Sequence, residues 1–293
     1  MISTINPASP NINISYLAKI FHDVAENLRF GFYELGFDVC VSSGLIINDR
    51  YNIIIGGHMI SDFAQIPSGS VIVNFEQLGS NSILIREEYI NSMRAHQVWD
   101  YSVRNIEWLA ARGVAAKLLR LGYSPYLTRI DNLDRQDIDV LFYGALNERR
   151  VHILQSLQKK GLSVVAISSG MTGSELDEYI SRSKVVLNLH YYSTHIFEIV
   201  RVSYLLCNRK AVVAEVGIST EIEPEIKNAV LAVPYEQLID ACCDLVRDEE
   251  KRRAVETRGW DIFSNRSQAM LMKETLDNFS HLITSPDTIS ESI

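Results

Sequence analysis

The chain has 293 residues, 47% of them apolar and 22% charged, with a formal net charge of −8. That apolar fraction belongs to a globular protein with a sizeable core, and the length suffices for two ordinary domains. A net acidic chain argues against a protein that holds nucleic acid electrostatically, although a local basic pocket for a small anion is compatible with an acidic whole. Cys40, Cys207, Cys242 and Cys243 show neither metal-ligand spacing nor a disulfide framework, and Cys242-Cys243 falls in an apolar helical pattern, so core packing is their expected role. Residues 1–13 contain no basic segment followed by an apolar one, and no window reaches the roughly 18 to 20 apolar residues needed to span a bilayer. The expected location is cytoplasmic.

Leu17, Ile20, Phe21, Val24, Leu28 and Phe32 recur at helical spacing and predict a helix over 16–35, stopped by Gly36. Short apolar runs then predict strands at 37–41, 51–55, 70–74 and 96–99, a helix over 103–112 and a short strand near 116–119. Strands alternating with helices or loops are the signature of a parallel α/β layer. Around 131–137 the chain turns polar, which reads as a linker. A second α/β pattern follows: strand 138–143, helix 148–160, strand 163–167, helix 174–182 and strand 185–189. Ser193-Thr194 reads as the start of a helix running to Cys207, followed by strands at 211–214 and 229–233 and by helical segments. The domains are therefore expected at 1–130 and 131–284, with a disordered tail at 285–293.

In open parallel sheets, ligands collect where strand C-terminal ends meet helix N-termini. The first half places His58, Glu76 and Asp100 at such ends, residues able to take a proton from a nucleophile. The second half places there Gly144, Asn147, Arg149, Arg150, the loop Ser168, Ser169, Gly170 and Met171, and the run His190, Tyr191, Tyr192, Ser193 and Thr194. Gly144 lets backbone approach an anion, the following helix points free N–H groups at it, and Arg149 or Arg150 adds charge. Each has a plainer reading: Gly144 as a tight turn, the arginines as a solvated face, His58 as a loop residue, the tyrosines as domain-seam packing. Glu198 and Arg201 sit in a nearly all-apolar segment, where a buried ion pair needs further hydrogen bonds that a ligand can supply. No GxGxxG follows the first strand, and GxxxxGK[ST] and GxSxG are absent, which weighs against a classical dinucleotide oxidoreductase, a P-loop enzyme and a serine hydrolase. Asp137-Ile138-Asp139 lies at the start of a strand, opposite the expected site, and reads as linker, so no metal site is expected.

The segments VLFYGALNERR (140–150) and VVLNLHYYSTHIFEIVRVSYLLCNRKAVVAE (185–215) resemble glycosyltransferase-like proteins of the GT-B architecture. These are bacterial and viral proteins of surface-polysaccharide loci, related to the spore-maturation type. VIVNFEQLGS (71–80), VWDYSVRNIEWL (98–109) and LGYSP (121–125) are similar to the same group. The resemblance implies two Rossmann-like domains facing across a cleft, with a helix over 260–281 crossing back to the first. It implies a metal-independent enzyme without cofactor that takes a nucleotide sugar in the second domain and a glycan or other hydroxyl-bearing acceptor in the first. Gly144 and Arg149 or Arg150 would face the diphosphate, Ser168 to Met171 the base, and Glu198 and Arg201 the ribose or phosphate. Tyr204 stands where many retaining members carry a ribose-binding glutamate, and Arg209 where they carry a glycine. That departure favours an inverting mechanism with His58 or Glu76 as base. Two other readings stay open: a nucleotide-sugar epimerase, and a non-catalytic GT-B-like binding protein.

Overall fold

The computed structural model describes residues 11–79, 85–131, 136–168 and 170–277. The first domain is built on six parallel strands in the order β2-β1-β3-β4-β5-β6. They are β1 (Ile12–Tyr16), β2 (Val39–Ser43), β3 (Tyr51–Ile55), β4 (Val71–Asn74), β5 (Gln97–Asp100) and β6 (Ala116–Leu118), joined through α1 (His22–Glu34), α2 (Glu87–Ala95) and α3 (Val103–Ala110). Ile53, Ile54, Ile55 and Val71, Ile72, Val73 are all buried, because strands covered on both faces carry unbroken apolar runs rather than alternation.

The second domain has five parallel strands in the order β11-β10-β9-β7-β8. Its elements are β7 (Ile138–Tyr143), α4 (Glu148–Lys159), β8 (Val164–Ile167), α5 (Ser174–Arg182), β9 (Ser183–Asn188), α6 (Ile199–Cys207), β10 (Ala211–Glu215), α7 (Pro224–Ala229), β11 (Leu231–Val233), α8 (Leu238–Arg247) and α9 (Glu249–Ser264). Then α10 (Gln268–Asp277) returns to the first domain and packs on α1, where a Cβ added to Gly31 would lie 3.1 Å from Gln268 Cγ. Over its described part, 260–277, the helix expected over 260–281 is the end of α9 and then α10, broken at 265–267, with Tyr123 N–H bonding the Arg266 carbonyl at 2.6 Å in the break. The linker residues 132–135 and the tail 285–293 lie outside the described residues.

Three element expectations need correcting. The helix predicted over 16–35 starts only at His22, because Tyr16 closes β1 between β2 and β3 and Lys19–Phe21 form a 3-10 turn. Asn13 looked polar, but its amide donates to Asn52 Oδ1 and the Leu45 carbonyl, both at 2.9 Å, and that pairing lets it sit inside the sheet. The helix predicted from Ser193 begins at Ile199: His195 has φ +50°, and Ile196 forms a β-bridge with Glu221 that takes up the local backbone hydrogen bonds. Helices α2 and α7 were not anticipated. The acidic triplet is structural at its visible contacts, with Asp137 bonded by Arg182 and Asp139 by Lys184 and the Ser163 N–H. Cys207, Cys242 and Cys243 are buried free thiols. No helix among the described residues is long and apolar enough to cross a membrane.

Candidate functional site

Between the domains lies a cavity of about 480 Å³. Its second-domain wall begins at Gly144, the residue after β7. This residue has φ +134°, which favours glycine, and a Cβ there would lie 2.7 Å from Arg201 Nη2 and displace that guanidinium. Asn147 caps α4 by accepting from the Arg150 N–H at 2.9 Å. The capped turn holds the Arg150 guanidinium, 2% exposed as a residue, against the Phe142 and Tyr191 rings, and it donates to the carbonyls of Ala145 and Leu189. Arg201 donates to Asn188 Oδ1 at 2.9 Å, and Asn188 in turn donates to Glu198 Oε2 at 2.8 Å. The two charged residues therefore meet through an asparagine at the tip of β9 rather than as a direct helix pair. Glu198 precedes the first turn of α6 as its N-cap residue.

Glu198 is also bonded by His190 Nδ1 at 3.3 Å and faces Arg150 Nη2 at 4.0 Å. Burial works to raise its carboxyl, but His190, Arg201 and Asn188 outweigh burial and leave it below the usual carboxylate range. Burial and then the neighbouring Arg201 push Arg150 down to about 10. Arg150 Nε has no hydrogen-bond partner. On the second-domain wall two guanidiniums thus face the cavity with one carboxylate, a local surplus of positive charge that an anion completes.

The first-domain wall is aromatic. Phe21 and Phe75 stack with centroids 6.5 Å apart, and Tyr101 leans on Phe75 at 5.9 Å. Glu76 opens into the cavity beside them, and burial raises its carboxyl above the usual range. His58 stands behind it, Nε2 3.8 Å from Glu76 Oε1, with its ring edge against Phe21 and Tyr89. Burial and then Arg86 lower the His58 imidazole from its ordinary value. Deeper, Asp100 is fully buried and accepts from Asn74 Nδ2, the Ser102 N–H and Asn105 Nδ2, while burial pushes it up to about 7. Among the described residues no three His, Cys, Asp or Glu converge as metal ligands.

No family model matches the chain. Two uncharacterized proteins of Acanthamoeba polyphaga mimivirus are similar in sequence. L137 is 26% identical over 170 residues, 56% of this chain and 23% of that protein. L140 is 25% identical over 158 residues, 51% of each. The chain thus spans about half the length of these curated relatives, or less. Solved structures match across nearly the whole chain. T4 phage BGT, as its D100A mutant in complex with UDP-glucose, superposes with a TM-score of 0.61 over 94% of this chain and 100% of that one, at 14% identity. WaaG, a glycosyltransferase involved in lipopolysaccharide biosynthesis, gives 0.57 over 91% and 99% at 12% identity. The chain has the GT-B fold.

In this GT-B cleft, Glu76, Gly144, Arg150, Ser168, Gly170, Met171, Tyr191, Tyr192, Glu198 and Arg201 all line the cavity. Ser169 lies outside the described residues. The remaining sequence candidates stand off the lining. Arg149 is turned onto Glu215 and the Tyr235 ring. His190 lies under Glu198, held on its other side by Thr220 Oγ1 at 3.1 Å. Asn147 serves as a cap, Ser193 is exposed, and Thr194 donates to Gln77 of the first domain. Tyr204 also lines the GT-B cavity, with its hydroxyl on Asp177 and its ring under Arg129. Asn188, Asn74 and Tyr101 were not foreseen as site residues. The available signal was an asparagine closing an apolar strand, in Val-Ile-Val-Asn (71–74) and again at Asn188.

Proposed function

We propose that the protein is a glycosyltransferase that moves a sugar from a nucleotide diphosphate to a hydroxyl-bearing acceptor, with inversion and without a bound metal. The observation that carries this reading is the pair Arg150, buried, and Arg201, half-buried, which flank Gly144 and converge on one carboxylate at the cleft. Such a cradle stabilises the charge that develops on a leaving diphosphate without a metal ion. The loop of Ser168, Gly170 and Met171 is assigned to the base, and Glu198 to a donor hydroxyl. Glu76, on the opposite wall, is assigned as the general base, with His58 behind it. A base facing the leaving-group cradle across the cavity suits displacement from the far side of the sugar. The likeness to T4 phage BGT in complex with UDP-glucose supports a nucleotide-sugar donor.

The test is a panel of UDP-, GDP- and CDP-sugars, read by melting temperature and by release of nucleotide. At 100 times its Kd a true donor contributes about 2.7 kcal/mol, which corresponds to a rise of roughly 5–10 °C for a chain of this size. Arg201→Ala is expected to remove that rise and the nucleotide release. Absence of both signals with every donor overturns the proposal, and an isomerised donor without transfer identifies an epimerase instead.

A further inference from the structure

The cavity is divided by charge along the domain boundary. Both cations that line it, Arg150 and Arg201, come from the second domain. The first-domain wall, represented by Ile20, Phe21, Asn27, Phe75, Gln77 and Tyr101, has no Lys, Arg or His among its described lining residues. Its charged members are acids. Asp23 is held by the Arg129 guanidinium at 2.8 and 3.1 Å, and the His58 imidazole stands 3.8 Å from the Glu76 carboxylate. An acceptor that carried a phosphate near its reacting hydroxyl would meet carboxylate and aromatic rings with no counterion. An uncharged ring with one apolar face and hydroxyls on its edge meets the opposite situation. Its C–H face lies on the stacked Phe21 and Phe75, and an edge hydroxyl reaches Glu76.

We infer that the acceptor is a neutral saccharide, laid on the Phe21–Phe75–Tyr101 wall with its nucleophilic hydroxyl at Glu76. This rests on the glycosyltransferase reading above and adds the acceptor class. In the step, Glu76 takes the hydroxyl proton as the acceptor oxygen bonds to the anomeric carbon. The anomeric carbon–oxygen bond to the diphosphate breaks, and its electron pair leaves with the diphosphate between Arg150 and Arg201.

The experiment uses the full chain and a donor identified by slow hydrolysis. Transfer is measured to glucose, maltose and cellobiose, to glucose 6-phosphate, and to double-stranded DNA. The expected result is transfer to at least one neutral sugar, with kcat/KM at least 100-fold above that for the phosphorylated sugar, and none to DNA. Ile20 lines the same wall and is 55% exposed, so Ile20→Lys adds a cation without disturbing the core. It is expected to cut the neutral-over-phosphorylated ratio at least tenfold. Donor hydrolysis with preferred transfer to DNA or to the sugar phosphate overturns this inference and leaves the glycosyltransferase reading standing. So does donor hydrolysis with no transfer to any neutral sugar, or an unchanged ratio in Ile20→Lys. Failure to hydrolyse any donor removes both.

Discussion

The two domains touch along two seams of opposite character, one beside the linker and one at the outer edge of the cleft. The linker-side seam is buried and close-packed. Gln268, fully buried on α10, accepts from the Gly122 N–H at 2.7 Å and from Asn27 Nδ2 at 3.0 Å. Nearby, Asn208 of the second domain accepts from the N–H groups of Arg129 and Ile130 and donates to the Leu127 carbonyl. The outer seam is polar and reaches solvent at Val103, Arg104 and Thr194, while its inner bond, Gln77 to Ile196, is buried. Glu221 accepts from Ser102 Oγ at 2.7 Å and from the Val103 N–H at 2.6 Å, at the N-terminus of α3. Arg104 donates to the Thr194 carbonyl, and Gln77 to that of Ile196. Buried amides without access to water are lost only at the cost of desolvated partners, whereas exposed contacts exchange readily with water. This contrast predicts a cleft that pivots on the first seam and parts at the second.

The largest expected effect comes from breaking the pivot. A Cβ on Gly122 would lie 2.4 Å from the Arg266 carbonyl oxygen and 3.0 Å from the Gln268 nitrogen, both backbone atoms that cannot rotate aside. Gly122→Ala should force α10 off its seat and destabilise the chain by about 3 kcal/mol, at the upper end of overpacking costs. A urea midpoint equal to that of the unmodified protein would show that the linker-side seam yields, contrary to the rigid pivot.

A smaller effect tests the ground beneath the outer seam. Asp100 bonds the Ser102 N–H, Ser102 Oγ holds Glu221, and burial first and then Glu221 push the Asp100 carboxyl up from 3.8 to about 7. The folded chain thus holds this proton across a window in which the unfolded chain has released it. Asp100 accordingly contributes stability that is complete below about pH 4 and lost as pH rises to about 7. The slope is at most about 1.4 kcal/mol per pH unit. Measured against Asp100→Asn, the unmodified protein should lose relative stability from pH 5 to 7 and level off above pH 8. A pH-independent difference would mean that Asn74, Asn105 and Ser102 hold the carboxylate ionised as in water.

The contrast between the seams also explains what the sequence made legible. Strands β3, β4, β7 and β10 fell close to their expected places because buried parallel strands are uninterrupted apolar runs bounded by turn residues. Strand β1 was hidden because Asn13 and Ser15 look exposed until Asn52 is placed opposite Asn13. The start of α6 was misplaced because Ser193-Thr194 has the chemistry of a helix cap. The bridge from Ile196 to Glu221 that overrides it joins residues distant in the chain. The cationic half of the cavity was readable from Gly144 and Arg150, which are neighbours in sequence. Asn188 was not, since its role is to join Glu198 to Arg201, and a lone asparagine at a strand end reads as a turn. The outer seam was invisible for the same reason: every bond in it pairs residues of different domains.

The smallest predicted change in stability belongs to Glu221, and it is the one that separates a releasable contact from a structural one. Its carboxylate gains from the helix dipole and from charge-assisted hydrogen bonds, but it works in contact with solvent. Glu221→Gln keeps the shape and removes the charge, so it should cost about 0.5–1 kcal/mol of unfolding stability. Its larger consequence lies in the population of closed molecules, because the same 0.5–1 kcal/mol shifts an opening equilibrium by about two- to fivefold. Neighbouring Thr220 holds His190, and His190 holds Glu198, so release of this loop also loosens the carboxylate beside Arg150. The variant should therefore show a larger radius of gyration in solution scattering and faster nucleotide dissociation, with its urea midpoint nearly unchanged. A loss of stability comparable to that of Gly122→Ala, with no change in scattering, would make the outer seam as rigid as the inner one and leave the domains nothing to pivot against.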